Sequence, residues 1–419
     1  MISRKHIFIV FTLLLSACSG LPAFENSNEA TIPLGPQITI TQHQVNVFES
    51  SFSLIEEHYI HYEIIEKDWE ALKEKYLTEI NAGLSNSEFN ELMTQFESEF
   101  GDDEVIYISR EERIRAESSI QTTQFVGIGA FINFQAEDVP HVVILDVMPD
   151  SPAEKAGLQA HDSIYAVDGE AVNAEEGANV VQRIRGEAGT TVVLSVQSPG
   201  EERQNVEIVR APVNGIGELK INQLQNNEIG YILIPPSVSE DAINQLALAL
   251  SNFAKAKIKG LILDLRIANG ENNWPLQDML IIFLNGAVGD IYNRTESDLI
   301  KIEGQDVFGS QSVPLVVLVG EQTYGAPEIF AAFVQSAQRG IVIGAPTSGN
   351  IERTVGYPLQ NGGQIFIASA SIRTNQIDNL GLSGFTPDIQ VNAKWDEIIS
   401  SQDPVIEQAL QFFKLKAEE

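Results

Sequence analysis

A hydroxyl attacks a carbonyl only after a neighbouring base has taken its proton, and the second half of this 419-residue chain offers hydroxyls without an evident base. Thr323, Ser336 and Ser348 stand close together in sequence. All six histidines, however, lie at or before His161, and no lysine falls between Lys301 and Lys394. Thr323, closing an apolar run, reads as a turn hydroxyl bonded to backbone, and Ser348 beside Gly349 reads as part of a loop. The single thiol, Cys18, allows neither a disulfide nor a thiolate metal site in the remainder of the chain. Acidic runs such as Gly101-Asp-Asp-Glu104 lack the Asp-x-Asp-x-Asp-Gly spacing of a calcium loop and read as a solvated face, so no metal is expected.

Those groups sit in a chain whose composition narrows the choices. With 43% hydrophobic residues it is globular, and its length has room for two or three domains. Twenty-six Lys+Arg against 58 Asp+Glu give a net charge of -32, which repels nucleic acid; nucleic-acid binding is set aside. The N-terminus reads as a targeting signal: Arg4 and Lys5, the apolar run Ile7–Leu15, then small residues. That run is far short of the about 20 residues a membrane-spanning helix needs. It closes on Leu15-Ser-Ala-Cys18, which resembles a bacterial lipobox and implies lipidation of Cys18 and an extracytoplasmic, membrane-anchored protein, at the outer membrane if the cell has one.

Stepping along the chain, residues 1–17 read as a lipoprotein signal peptide and 18–40 as a lipidated tether. A helical region at 41–121 follows, with Asp68 capping a helix through Trp69, Leu72, Tyr76, Leu77 and Ile80, and Ser85 with Glu88 as a capping box before Phe89, Leu92, Phe96 and Phe100. These aromatics read as core, and no cofactor is expected. Beyond residue 213 strands alternate with helices, the pattern of a mainly parallel sheet with helices packed on it. Strands are expected at Gly230–Ile234, Leu261–Arg266, Leu315–Val319 and Ile341–Gly344. Between the first two the reading is a helix opened by a capping box of Ser237 and Glu240 and burying Ile243, Leu246, Ala247, Leu250 and Phe253. Pro327 suits the first turn of a helix following Gly325. The last helix, at 401–419 with Val405, Ile406, Ala409, Leu410 and Phe413, suits either covering the core or joining another subunit.

Val313–Gln335, followed by Gly340–Asn350, resembles the core of the carboxyl-terminal processing (tail-specific) serine peptidases. In that family the first segment ends its strand in Ser-Ala-Ser-Ala-Ser-Glu-Ile, the middle serine being the nucleophile, and the second reads Gly-Glu-Pro-Thr-Phe-Gly-Lys. Laid without gaps, Gly325 falls on the serine and Asn350 on the activating lysine. Thr354 stands where many members have a glutamine that orients the lysine, and Ser336 where some have an aspartate. Leu263-Asp-Leu-Arg266 matches a motif that continues Asn-Asn-Pro-Gly-Gly, but here reads Ile267-Ala-Asn-Gly-Glu271, so the oxyanion turn at Gly270 and Glu271 carries a carboxylate where negative charge would develop. Losing one member of a nucleophile–base unit costs on the order of 10⁶-fold in turnover.

Four further blocks, Val126–Ile132, Ser151–Leu158, Asp162–Gly169 and Arg185–Val192, resemble a PDZ domain spanning 122–212. Such a domain takes an extended C-terminal tail as an added strand, and Val126, Gly127, Ile128 and Gly129 match the loop whose amides hold the terminal carboxylate; a bulky residue at Gly129 is expected to close the strand's approach. The resemblance therefore implies an α/β core of the tail-specific peptidase type at 213–400, with the N-terminal helical region and an inserted PDZ domain. It implies a pseudopeptidase that binds C-terminal tails or unfolded segments of extracytoplasmic proteins without cleavage. Two other readings stay open: an active serine endopeptidase with a relocated nucleophile, and a structural assembly component with a vestigial groove.

Overall fold

The computed structural model describes residues 39–100, 104–118, 124–270, 274–349, 351–378, 380–399 and 402–418. Cys18, Glu271 and Asn350 lie outside them, as does all but the end of the tether. Helices α1 (Ile40–His58), α2 (Trp69–Asn81) and α3 (Asn86–Glu97) form the helical region. The Asp68 carboxylate accepts from the Ala71 N–H at 3.0 Å, and Ser85 and Glu88 make both bonds of a capping box. Phe48, Tyr76 and Phe96 are buried, with ring centroids 5.1 to 5.9 Å apart; burying each ring contributes about 1.5–3 kcal/mol. A strand the helical reading did not anticipate, β1 (Val105–Ile108), follows, and then α4 (Arg110–Ser118).

The next module runs through β2 (Gln124–Gly127), β3 (Ala130–Gln135), β4 (His141–Val147), α5 (Pro152–Lys155), β5 (Ser163–Val167), β6 (Glu170–Ala171), a 3₁₀ turn at Gly177–Val180, α6 (Val181–Ile184), β7 (Thr191–Gln197), β8 (Gln204–Val209) and β9 (Ala211–Asn214). Strands β2 and β9 pair antiparallel, zipping the module's entrance to its exit. The sheet order β3-β4-β5-β7-β8 leaves β3 on an edge. Buried Arg210 donates to the carbonyls of Ile184 (2.8 Å) and Arg183 (2.9 Å), which satisfies acceptors that the end of α6 would otherwise leave open.

The rest of the chain comprises β10 (Lys220–Leu224), β11 (Ile229–Leu233), α7 (Ala242–Ala256), β12 (Gly260–Asp264), α8 (Leu276–Phe283), β13 (Gly286–Tyr292), β14 (Ser297–Ile302), β15 (Leu315–Val319), α9 (Ala326–Ser336), β16 (Ile341–Gly344), β17 (Arg353–Pro358), β18 (Gln364–Arg373), α10 (Leu380–Ser383), β19 (Ile389–Gln390) and α11 (Pro404–Glu418). Strands β11-β12-β15-β16-β19 are parallel, with β10 antiparallel on the edge. Every residue of β11, β12 and β15 is buried, as a parallel sheet covered on both faces requires. Helices α7, α8 and α9 share one apolar cluster with one face of that sheet. Val405, Ala409 and Phe413 of α11 cover the other face, so the last helix closes the core. A second, antiparallel sheet, β1-β18-β13-β14 with β17 on β18, joins the N-terminal helices to the core; no sequence pattern announced it.

One cap differs from the expected one. Helix α7 starts at Ala242 with Asp241 as N-cap, and the Ser237/Glu240 capping box is not formed. Gly217 N–H donates to the Ser237 carbonyl (2.8 Å) and Gly217 bridges Val238 in parallel, holding that segment against the connection between β9 and β10 until the chain can turn into the helix. Among the described residues no helix is long and apolar enough to cross a membrane.

Candidate functional site

Strand β15 delivers the chain to the turn Gly320–Tyr324, and α9 begins immediately after Gly325. At the turn, the fully buried Thr323 hydroxyl donates to the Leu265 carbonyl (2.7 Å) and accepts from the Gly320 N–H (2.9 Å). It is a brace between β15 and the segment following β12, with its proton already committed. Gly325 has φ 68° and ψ -131°, an elbow that L side chains adopt only under strain, and Pro327 lies in the first turn of α9.

The strand-turn-helix frame is thus present, and what faces it is backbone. Asn269 bridges Tyr324 in parallel, bringing Gly270 onto the elbow. A Cβ at Gly325 would lie 3.0 Å from Gly270 Cα, and a Cβ at Gly270 would lie 2.7 Å from the Ala326 nitrogen. At each glycine the space a side chain would take is filled by the backbone of the opposing segment. Thr354 sits exposed on β17, opposite Ala368 of β18. Ser336, at the end of α9, has a buried Oγ with no hydrogen-bond partner among the described residues, and Ser348 is exposed.

Two ionisable groups near this frame escaped the sequence reading. Glu328, in the first turn of α9, is fully buried; its Oε1 accepts from the Thr347 hydroxyl and from the Gly349 N–H (3.1 Å), while Oε2 has no partner among the described residues. Burial pushes its carboxyl up to about 8, against the hydrogen bonds from Thr347 and Gly349 and helped by the charge of Glu352. A carboxylic acid neutral near pH 7 there ties α9 to the loop that leads into Asn350. The only advance signal was an acidic residue inside an otherwise apolar helix.

The second is His61. The C-terminal half has no histidine of its own, but the fold brings one to it: His61, in the turn after α1, places Nε2 3.1 Å from Glu352 Oε1 across 291 positions of sequence. It is fully buried, 3.9 Å from Glu104, and Tyr59 donates to that same Glu104. Nε2 is committed to carboxylates between β1, β17 and the helical region, while Nδ1 is buried with no hydrogen-bond partner among the described residues.

A cavity of about 340 Å³, connected to the elbow through Asn269, which bridges Tyr324, opens between the edge strand β3 with α6 on one side and Asn269, Pro236 and Ser237 of the core on the other. Its apolar lining includes Ile128, Phe131 and Ile184, and Arg185 stands at it with its guanidinium 4.6 Å from the Phe125 ring centre. Of the four residues expected to form a carboxylate loop, Val126 and Gly127 belong to β2 and pair with β9; Ile128 and Gly129 make the turn into β3. Gly129 has φ +80° and its Cβ would fall 2.4 Å from Ser151 Cβ, the capping residue of α5. A larger residue there would strike the module's interior, so it does not serve as a simple plug for the groove.

Residues 228–391 match the family description "Peptidase family S41" and residues 143–198 match "PDZ domain". The chain is 27% identical over 418 residues to a carboxyl-terminal-processing protease of Synechocystis sp., covering 97% of this chain and 93% of that one. To a chloroplastic C-terminal processing peptidase of Tetradesmus obliquus it is 26% identical over 293 residues, covering 64% of this chain and 60% of the relative. Among solved structures, a photosystem II D1 C-terminal processing protease superposes with a TM-score of 0.62 at 21% identity, covering 85% of this chain and 94% of that one, which shows a shared fold.

Proposed function

We propose, because the chain belongs to the carboxyl-terminal processing peptidases of family S41 and carries a PDZ domain, that it is a pseudopeptidase: a lipid-anchored, extracytoplasmic protein that binds C-terminal or extended segments of envelope proteins and leaves them uncut. One observation carries the reading. The elbow from which a nucleophile would project is a glycine closed over by Gly270, while the groove beside it stays open. Asn350 in place of a lysine and Glu271 in the oxyanion turn point the same way, since an amide is no base and a carboxylate opposes a developing oxyanion.

In this reading a tail pairs with the free edge of β3 and its carboxylate meets the amides of the turn at Ile128 and Gly129, with apolar side chains entering the cavity. Backbone pairing and a carboxylate contact need no metal or cofactor. Anchoring rests on Arg4, Lys5, the apolar run and Cys18. The test is one incubation with a denatured protein bearing an apolar C-terminal tail, scored for binding by pull-down and for cleavage by mass spectrometry, together with a serine-directed acylating probe. Bound, intact and unlabelled is the expected result. Cleavage, or labelling of Thr323, Ser336 or Ser348, would establish a relocated nucleophile instead; neither binding nor cleavage would favour a structural assembly component.

A further inference from the structure

The segment between β19 and α11 threads between the PDZ module and the core, and its 3₁₀ turn, Trp395–Glu397, is gripped by both of the module's histidines. His141 Nδ1 faces the Val139 carbonyl at 2.9 Å and its Nε2 faces Asp396 Oδ2 at 3.0 Å. Carbonyl and carboxylate oxygens only accept, so this ring satisfies both neighbours only as an imidazolium. His161 is different. Its Nδ1 meets the Trp395 carbonyl at 2.7 Å, its ring packs 4.2 Å from the Trp395 ring, and the Arg266 guanidinium, itself over Trp395, opposes a second positive charge. Trp395 Nε1 then donates to the Ile144 carbonyl of β4 (3.1 Å), and Lys394 pairs with Glu137 (2.7 Å).

We propose that this turn is a proton-read clasp that holds the PDZ module on the core only while His141 is charged and His161 is neutral. Because core residues Pro236, Ser237 and Asn269 supply one wall of the groove, the clasp also decides whether that groove is complete. The groups facing each ring agree with this assignment. Around His141 are Asp396 and Glu137, with Lys394 paired to Glu137 and its charge favouring ionised Asp396, and Tyr165 stacked at 5.0 Å under Arg203; the hydrogen bond to Asp396 lifts its pKa above the ordinary value, against burial. Around His161 are Arg266, Asp403 and Asp264; burial lowers its pKa, against the Trp395 carbonyl and the two acids.

The two contributions have opposite signs. That of His141 is full below the undocked value of about 6.5 and is lost as pH rises through its raised value; that of His161 is full above about 6.5 and is lost as pH falls through its lowered value. Docking is therefore strongest near pH 6.5 and weakens on both sides. The inference concerns docking and stands apart from tail binding, which this experiment does not require.

The full chain in detergent micelles is followed by amide hydrogen exchange from about pH 5 to about pH 8.5, as protection factors so that intrinsic chemistry divides out. Protection of the Trp395 indole N–H, read in the same experiment and donated across to the Ile144 carbonyl, should peak near pH 6.5 and fall severalfold on each side, with protection of the Ile144 amide, bonded to the Asp162 carbonyl within the module, and of β7 reporting that the module itself stays folded. His141→Gln should abolish the alkaline fall alone, and His161→Gln the acid fall alone. Should either histidine variant fail to fold, Asp396→Asn decides, since it should remove the alkaline fall and keep the acid one. A flat or single-sided wild-type profile, or a variant that keeps the limb it should lose, overturns the clasp.

Discussion

Placing a side chain on the elbow should cost stability before it could restore any chemistry. Gly325 sits at φ 68°, ψ -131°, and a non-glycine residue held in so sparsely populated a region costs about 1–3 kcal/mol. Its Cβ would also lie 3.0 Å from Gly270 Cα, a backbone atom that moves only with the segment tied to β12, and overpacking of that kind costs about another 1–3 kcal/mol. Gly325→Ala is therefore expected to lose about 2–6 kcal/mol. Chemical denaturation can follow it through Trp274, which is buried with its ring 5.9 Å from Phe330 of α9 and so reports on the helix after the elbow. Gly83→Ala is the control, at φ +92° with open space around it, and carries the backbone cost without the contact. A Gly325→Ala variant as stable as wild type, or more so, as alanine makes a compatible glycine site, would refute the closed-elbow argument. With the elbow closed in this way, Gly325→Ser with Asn350→Lys yields at most a trace of proteolysis, because alignment within about 0.5 Å is also required.

Peptides with an apolar C-terminus should bind with dissociation constants of about micromolar order, near about -8 kcal/mol, and amidating the terminus should weaken them; equal calorimetric affinity for acid and amide would remove the carboxylate contact. Cys18→Ala should release the protein from the membrane fraction or leave it unprocessed, and a wild type found soluble with another first residue would end the lipoprotein reading. Glu328→Gln should raise the denaturation midpoint at pH 8 and match wild type near pH 5. The raised carboxyl pKa stabilises the fold below the ordinary value of about 4.5, and that contribution is lost as pH rises towards about 8. An equal deficit at both pH values would show that the charge is not what matters.

Sequence reading reached what local pattern controls. Leu315–Val319 and Ile341–Gly344 are strands with the expected bounds because a continuous apolar run flanked by turn residues has few other fates. The two capping boxes show the limit: Ser85 and Glu88 close theirs, while Ser237 and Glu240 have the same spacing but lose to a tertiary bridge with Gly217. The antiparallel sheet was illegible, since β13 carries two glycines and an aspartate and β1 is only four residues long. At the site, Gly325 could be read from motif alignment, whereas the closeness of Gly270, the burial of Glu328 and the arrival of His61 at Glu352 are properties of chain crossings that no local window contains.

The sheet that joins β1 to β18 also sets an order of events during synthesis. The N-terminal helices share their core with Ile365 and Ile367 of β18, and the contacts that fasten them, such as Arg113 Nε to the Gly362 carbonyl across 249 positions, exist only once most of the chain has emerged. The PDZ module, whose strands pair among near neighbours and whose entrance and exit are zipped by β2 and β9, can complete itself long before. A nascent molecule should therefore pass through a stage with one finished domain between two unfinished halves of another, their apolar faces uncovered. That interval is the chain's period of greatest exposure to aggregation, and slowing the second half of the chain would lengthen it.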